Sequence, residues 1–433
     1  MNICNKVWIT GALLAAIQSE SAVNAFVNTN HGANKKAPLK SPLLHAAPKR
    51  LEENVEGVVY VNEKCINCAA CSNFAPSVFR RADRDYAHIV HRQPETKEEI
   101  LDARAAMAAC PVAAIRSETL AQRRHRMPDN NNSKQAVRDS WTEQDEELVR
   151  QMALSPKVNG LELPFPRPLM HHDATTTNNN NDNNNIRNVY NVGHHNEDSF
   201  GATPYLVQAT FQGQSVWILV DTPRFGKSAM EAVTQITGPN GPDYMFLTHV
   251  DDTADHDKWA AEYPSLKRIF HAGDTGRHNW RRDEALNDVE IMLPVPSTSS
   301  TKAAYALDGT PLSSAAWYND FLQDPDTNVV ILHTPGHSPG SITLWKKPDN
   351  DQPGIIFTGD HYAFTTRTGR MSGFPRYGNN LQLQAESLQG LLDLEWDVVA
   401  PGHGHPRDYS QEGDNKDDLK KTEMEEALMD LHK

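Results

Sequence analysis

The chain is poor in cysteine, in long apolar runs and in excess positive charge, and each shortage narrows what it can be. Five cysteines in 433 residues do not make a disulfide-built scaffold. Four of them, Cys65, Cys68, Cys71 and Cys110, belong together, while Cys4 stands apart near the start. The apolar run Val7 to Ile17 is too short to span a bilayer comfortably, so no membrane is expected for the mature protein. The formal net charge is -14, and the folded part lacks the runs of Lys and Arg that phosphate binding needs, which excludes nucleic acid as a partner. The acidic balance reads as solubility. With 38% hydrophobic residues the chain can bury at least one large core, and its length allows two or three domains.

Lys6, the apolar run and the small residues ending at Ala25 have the shape of a secretory signal peptide. Residues 26–50 then carry Lys35, Lys36, Lys40, Lys49 and Arg50 without Asp or Glu, a transit-peptide composition. With Phe26 directly after Ala25, residues 1–50 resemble the bipartite plastid presequence of diatoms and related algae. The resemblance implies delivery to the chloroplast stroma and removal of the segment.

Residues 52–120 contain CINCAAC from Cys65 and ACPVAAI around Cys110. Three thiolates at intervals of three and a distant fourth followed by proline suit a cubane, and with no second set present all four serve one [4Fe-4S] cluster. A structural zinc knot would show two separated CxxC pairs. The run resembles single-cluster ferredoxins, with Ile66, Phe74, Val78, Phe79, Val112 and Ile115 as the apolar shield. EEILDARAAMAA repeats apolar residues at helical spacing and predicts the helix that carries Cys110. Such a module moves single electrons or senses redox state. Residues 121–157 read as a flexible linker with a short charged helix near Trp141 to Met152, and the asparagine-rich stretch 174–185 as an insertion. His171, His172, His194 and His195 read as solvated loop histidines.

Residues 158–410 alternate strand, turn and helix. Strands are expected at Leu266 to Phe270, Val329 to Leu332, Ile342 to Trp345, Ile355 to Thr358 and Asp397 to Ala400, with helices over 227–237 and from near Asp252 past Trp259. Polar groups gather where strands end: THVDDTADH at Thr248 to His256, HTPGHSPGS at His337, FTGDH at Asp360 and APGHGHP at His403. Two histidines and three aspartates within THVDDTADH present N and O ligands for a hard or borderline metal. In this order the set resembles the metallo-β-lactamase-fold hydrolases. The resemblance implies an α+β chain: a ferredoxin-like [4Fe-4S] domain followed by a four-layer αβ/βα sandwich whose loops hold one or two divalent metals. It implies that His249, His337 and Asp360 line one metal, that Asp255, His256, Asp360 and His403 line the other, and that Asp360 bridges.

The family pattern is His-x-His-x-Asp-His, whereas this chain has His249-x-Asp251-Asp252-x-x-Asp255-His256, two residues longer and without the second histidine. Asp251 replaces that histidine by count. Asp252, Asp255 and His256 on one helix face are the alternative arm. A carboxylate there moves preference from zinc toward iron or manganese.

The layout, with FPRYGNNLQLQ after FTGDHYAF, resembles a plastid ferredoxin-fused metallo-hydrolase family of plants and algae. His361, Tyr362, Arg376 and Tyr377 then fall near the metal edge. The expected activity is hydrolysis of an ester, thioester or lactone in a small-molecule substrate, with Asp255 positioning the water. The alternatives are an iron-dependent oxidoreductase fed by the cluster, exchanging electrons with a donor or acceptor protein, and a redox-responsive scaffold. Residues 411–433 read as a charged C-terminal helix with Leu419, Met424, Leu428 and Leu431 on one side.

Overall fold

The computed structural model describes residues 48–153, 163–170, 185–296, 303–349 and 352–432. Nearly all of the presequence, His171, His172 and the asparagine tract lie outside the described residues. From Pro48 onward the chain forms one compact unit.

Two sheets carry the larger part. The first runs in the order Ile291–Leu293, Lys267–His271, Tyr244–Phe246, Gln214–Val220, Tyr205–Phe211, Asn185–Asn191, Arg167–Met170. The four strands from Ile291–Leu293 to Gln214–Val220 are parallel to their neighbours, and the remaining pairings are antiparallel. The second runs Ala304–Tyr305, Val329–His333, Ile342–Lys346, Ile355–Gly359, Val398–Pro401, Arg407–Asp408. Alternation of side chains along each strand builds the layers. Tyr205, Val207, Ile218 and Val220 meet Val329, Ile331, Leu344 and Phe357 between the sheets. Leu206 and Leu219 point the other way, onto helices Lys227–Thr237 and His256–Glu262. Val330 and Trp345 likewise pack outward against helices Leu381–Gly390 and Lys416–Leu431. The result is the αβ/βα sandwich, with strand ends and their loops collected at one edge.

The ferredoxin-type domain is built from short pieces. Val59–Val61 pairs with Ile115–Ser117, and Phe79–Arg81 with His88–Val90, both antiparallel. Helix Lys97–Ala109 opens on a capping box in which Thr96 and Glu99 accept each other's backbone N–H, satisfying two amides that the first turn leaves without partners. Its alanines serve two cores. Ala103 and Ala106 pack inside the domain with Val59, Val78 and Phe79. Ala105, Ala108 and Ala109 lie on the outer face of the first sheet with Phe165, Val192 and Leu206.

This packing corrects the reading of residues 121–157 as a flexible linker. The described part of 121–157 forms helices Leu120–Arg126, Asn131–Ser140 and Glu143–Gln151, capped by Thr119, Asn130 and Thr142. Leu148 and Met152 are buried in the ferredoxin core. A few capped turns with an apolar residue each suffice to order a polar segment once a neighbouring surface covers them. Asn73 Nδ2 donates to the Gly404 carbonyl at 2.7 Å, Arg224 Nη1 to the Pro111 carbonyl at 3.0 Å, and Arg167 pairs with Asp102 at 2.6 Å. No helix among the described residues is long and apolar enough to cross a membrane.

Candidate metal centre and iron–sulfur site

Cys65, Cys68, Cys71 and Cys110 line one pocket with Ile66, Val112 and Ile115. All four are free thiols. Backbone amides point at the sulfurs: Asn67 N–H and His88 N–H at 3.4 Å from Cys65 Sγ, and Ala114 N–H at 3.2 Å from Cys110 Sγ. Amides so placed stabilise the negative charge of a thiolate-ligated cluster. Burial pushes the Cys68 thiol up to about 12 and raises Cys71 and Cys110 as well. Four apposed sulfurs in an apolar pocket therefore call for a cationic core, and the residues fit a [4Fe-4S] cluster.

At the edge of the sandwich His249, Asp251, His337 and Asp360 converge. Asp251 Oδ2 lies 3.7 Å from His249 Nε2 and 3.8 Å from His337 Nε2; Asp360 Oδ2 lies 3.9 and 3.8 Å from the same two nitrogens. A tetrahedron with bonds of about 2.1 Å has edges of about 3.4 Å, so one ion fits among these atoms with small adjustments. Burial opposes ionisation of Asp251, but His337 and His249 beside it bring its carboxyl down to about 2. The surrounding groups aim the ligands. Thr248 Oγ1 donates to Asp221 Oδ2 at 3.1 Å and stands 3.0 Å from His249 Nδ1. Since that hydroxyl proton is spent on Asp221, Nδ1 carries the imidazole proton and Nε2 presents its lone pair to the site. Asp274 accepts from Val250 N–H and Ser338 Oγ on one oxygen and from Gly340 N–H on the other, tying the His249 loop to the His337 loop.

A second group adjoins the first. Asp252 is fully buried, and neither carboxylate oxygen has a hydrogen-bond partner. One of them is 3.7 Å from His249 Nδ1, and His403 Nδ1 is 2.6 Å from Asp360 Oδ1. His249, Asp252 and Asp360 can offer ligand atoms to one ion. A Cβ on Gly402 would fall 2.9 Å from Asp252 Oδ2 and 3.1 Å from Asp360 Oδ1, so glycine there keeps the space between the two carboxylates open. Burial, and then Asp360, raise the Asp252 carboxyl well above its ordinary value. A bare buried carboxylate beside another is costly without a cation. The donor set fits a divalent metal, carboxylate-rich and so hard in character.

Asp255 and His256 are not brought to this cluster, against expectation. Asp255 has left-handed backbone, φ 65°. Its carboxylate accepts from Asn196 Nδ2 at 2.9 Å and Phe225 N–H at 3.0 Å and pairs with Lys258. His256 is buried between Asp283 and Arg268, at 3.1 Å from each. The cause is local. A 3₁₀ turn over Val250–Asp252 curls Asp252 back beside His249, and the α-helix starts at His256 rather than near Asp252. Asp252, Asp255 and His256 therefore do not share one helix face.

His195 is fully buried, its Nδ1 2.9 Å from the Gly201 carbonyl, and is no solvated loop residue. His361 is buried close to His337 and His249, and that burial lowers it to about 3. Tyr362 belongs to the outer core near Tyr409. Arg376 and Tyr377 face Tyr86 of the ferredoxin domain instead of lining the metal edge. The reading from motifs gave no role to Asp274 or Thr248, and Trp280, whose Nε1 donates to Asp251 Oδ1 at 2.6 Å, lies in a stretch without any motif.

Residues 61–117 match the family described as the 4Fe-4S single cluster domain of ferredoxin I, and residues 200–403 match the metallo-beta-lactamase superfamily. The chain thus joins a ferredoxin-type 4Fe-4S domain to a metallo-beta-lactamase domain. A curated relative, an uncharacterized protein of Mycobacterium leprae (strain TN), is 35% identical over 86 residues, 20% of this chain and 37% of the relative, so the chain spans just over a third of that relative's length. Similar solved structures include an archaeal metallo-beta-lactamase superfamily protein from Sulfolobus tokodaii, with 17% identity and a TM-score of 0.31 over 54% of this chain and 80% of that one. A metallo beta lactamase from Hirschia baltica has 17% identity and a TM-score of 0.32 over 48% and 80%.

Proposed function

We propose that the protein is a metal-dependent hydrolase acting on an ester, thioester or lactone carbonyl, with a redox-active [4Fe-4S] domain built onto it. The observation that carries this reading is the buried Asp252 carboxylate without a partner, set beside the ring of His249, Asp251, His337 and Asp360. His249, Asp251, His337 and Asp360 would hold one ion, and Asp252, Asp360 and His403 a second. Ions so held supply Lewis acidity and a water ionised near neutral pH. Thr248 and Asp221 fix the orientation of His249, while Trp280 fixes Asp251. Asp252, rather than Asp255, would then be the carboxylate at the metal edge that, besides holding the ion, could orient the water. Phe200 and Trp280, stacked at 6.2 Å and half exposed, offer an apolar lip for the substrate's acyl part.

One observation favours a second reading, in which the centre holds iron and the cluster exchanges electrons with it. Gly201, at φ +87°, sits so close to Cys68 that an added Cβ would lie 2.7 Å from the cysteine's Cβ, and the preceding carbonyl, of Phe200, is 3.3 Å from His403 Nε2. One residue of backbone separates a cluster ligand from a candidate metal ligand.

Metal analysis of anaerobically purified protein, paired with a panel of nitrophenyl esters, acyl thioesters and lactones, separates the readings. Zinc or manganese beyond the cluster's own iron, with turnover that Asp360→Ala abolishes while visible cluster absorbance survives, supports hydrolysis. Extra iron reducible through the cluster, without turnover of the panel, supports the redox reading. A centre that takes up no metal would refute both and leave the scaffold.

A further inference from the structure

Outside the metal edge, the two domains share a surface feature that neither motif set explains. Tyr86, at the tip of the hairpin between Phe79–Arg81 and His88–Val90, and Tyr377, from the loop before helix Leu381–Gly390, are 60% and 59% exposed. Tyr86 lies within electrostatic reach of Tyr377 and of the Asn67 side chain. Asn67 lies inside the cysteine loop, and its backbone N–H donates to Cys65 Sγ at 3.4 Å. Ile66 beside it is 36% exposed. Thus two exposed phenols on different domains stand together beside the loop that carries the cluster's cysteines.

The charge around them is opposite to that of the whole chain. The Arg81 guanidinium lies 5.4 Å over the Tyr86 ring and that of Arg376 5.7 Å over the Tyr377 ring, with Arg367 within electrostatic reach of Tyr377. Among the described residues Arg81, Arg367 and Arg376 take part in no salt bridge. The acids of the same hairpin are largely engaged: Asp83 pairs with Arg80, and Glu53 accepts the amides of Asp83, Arg84 and Asp85. Asp85 remains as one exposed carboxylate. Unpaired arginines stacked on exposed tyrosines are the composition of a protein-binding patch. In a chain of net charge -14, most of the remaining surface repels an acidic partner.

We infer that the Tyr86–Tyr377 patch, rimmed by Arg81, Arg367 and Arg376, is the docking surface for an acidic one-electron carrier protein that exchanges electrons with the cluster. A single cubane takes one electron at a time, so the partner is a one-electron carrier. On reduction, the carrier loses one electron and the cluster passes from its 2+ to its 1+ state, with no bond made or broken. The inference rests on the cluster being present and reducible, which visible absorbance and dithionite reduction report separately.

The test is stopped-flow reduction of the holoprotein's cluster by a reduced, acidic [2Fe-2S] ferredoxin, with dithionite as the small-molecule reference. For the native chain the second-order rate should fall as ionic strength rises, since steering by unlike charges is screened. Arg81→Glu combined with Arg376→Glu should slow the protein reaction about tenfold, with dithionite reduction and cluster absorbance unchanged. A rate independent of salt in the native chain overturns the inference whatever the variants do. So does a charge-reversed protein with an intact cluster that reacts with the ferredoxin at the native rate.

Discussion

Two aspartates three positions apart, Asp252 and Asp255, have exchanged the roles that the motif suggests for them. Asp252 is buried with two unpartnered oxygens, so its removal takes away a ligand and no internal hydrogen bond. Asp255 has its lone pairs filled by Asn196, Phe225 and Lys258, so its removal leaves amides unpaired and spares the metal edge. Asp252→Asn should therefore lower metal content at the second group while leaving or raising thermal stability of the metal-free chain. Asp255→Asn should keep metal content and lower stability by about 1–2 kcal/mol. Metal analysis and urea unfolding of the two variants check this, and equal metal loss in both would return Asp255 to the site.

At the scale of elements, the ends of two strands from opposite sheets meet in a stacked histidine pair. His271 closes Lys267–His271 and His333 closes Val329–His333, with ring centroids 4.0 Å apart and planes 15° from parallel. His271 Nδ1 accepts from Gly273 N–H at 3.0 Å, and His333 Nε2 lies 3.0 Å from the Pro339 carbonyl. Burial, with His333 beside it, lowers His271 to about 3, and burial lowers His333 as well. Both imidazoles are thus neutral in the fold and titrate at their ordinary value of 6.5 once unfolded. A folded value below the unfolded one means that the unfolded state binds more protons as pH falls. For His271 the stability is present above about 6.5 and is lost toward about 3, at up to about 1.4 kcal/mol per pH unit, and the lowered His333 acts in the same direction. Urea midpoints between pH 7 and 4.5 should fall more steeply for the native chain than for His271→Leu, and parallel profiles would count against this account.

For the whole molecule, the contact of Gly201 with Cys68 joins domains that motifs treat as separate. A side chain at 201 meets both a left-handed backbone and the cysteine, so Gly201→Val adds strain of about 1–2 kcal/mol and overpacking of about 1–3 kcal/mol. Thermal unfolding followed by circular dichroism and by visible absorbance should show a lower midpoint and earlier cluster loss, with the two signals moving together. Cluster loss at the native temperature would mean that the domains are not locked at this point.

Much of the architecture is legible in the chain itself because it depends on local repetition. Short, largely apolar runs in Tyr205–Phe211 and Val329–His333 mark strands buried on both faces, with a side in each of two cores, and CxxCxxC with a distant Cys-Pro marks one cubane. His249, His337, Asp360 and His403 stand in motifs at strand ends, where loops must gather. What escaped was whatever depended on a turn whose outcome the residues beside it do not decide. The extra Thr253 and Ala254 let a 3₁₀ turn present Asp252 and carry Asp255 away. Asp274, Thr248 and Trp280 act on ligands contributed by other stretches of chain.

The sequence by itself determined the layers and the four cysteines, since periodicity and spacing are properties of neighbours along the chain. Only the tertiary structure decided which carboxylates face the metal edge, that polar helices seal the ferredoxin core, and that scattered arginines and two tyrosines stand together near the cysteine loop. Those depend on contacts between residues far apart in sequence, where burial, unmet hydrogen bonds and charge are settled by whichever surfaces the folded chain brings together.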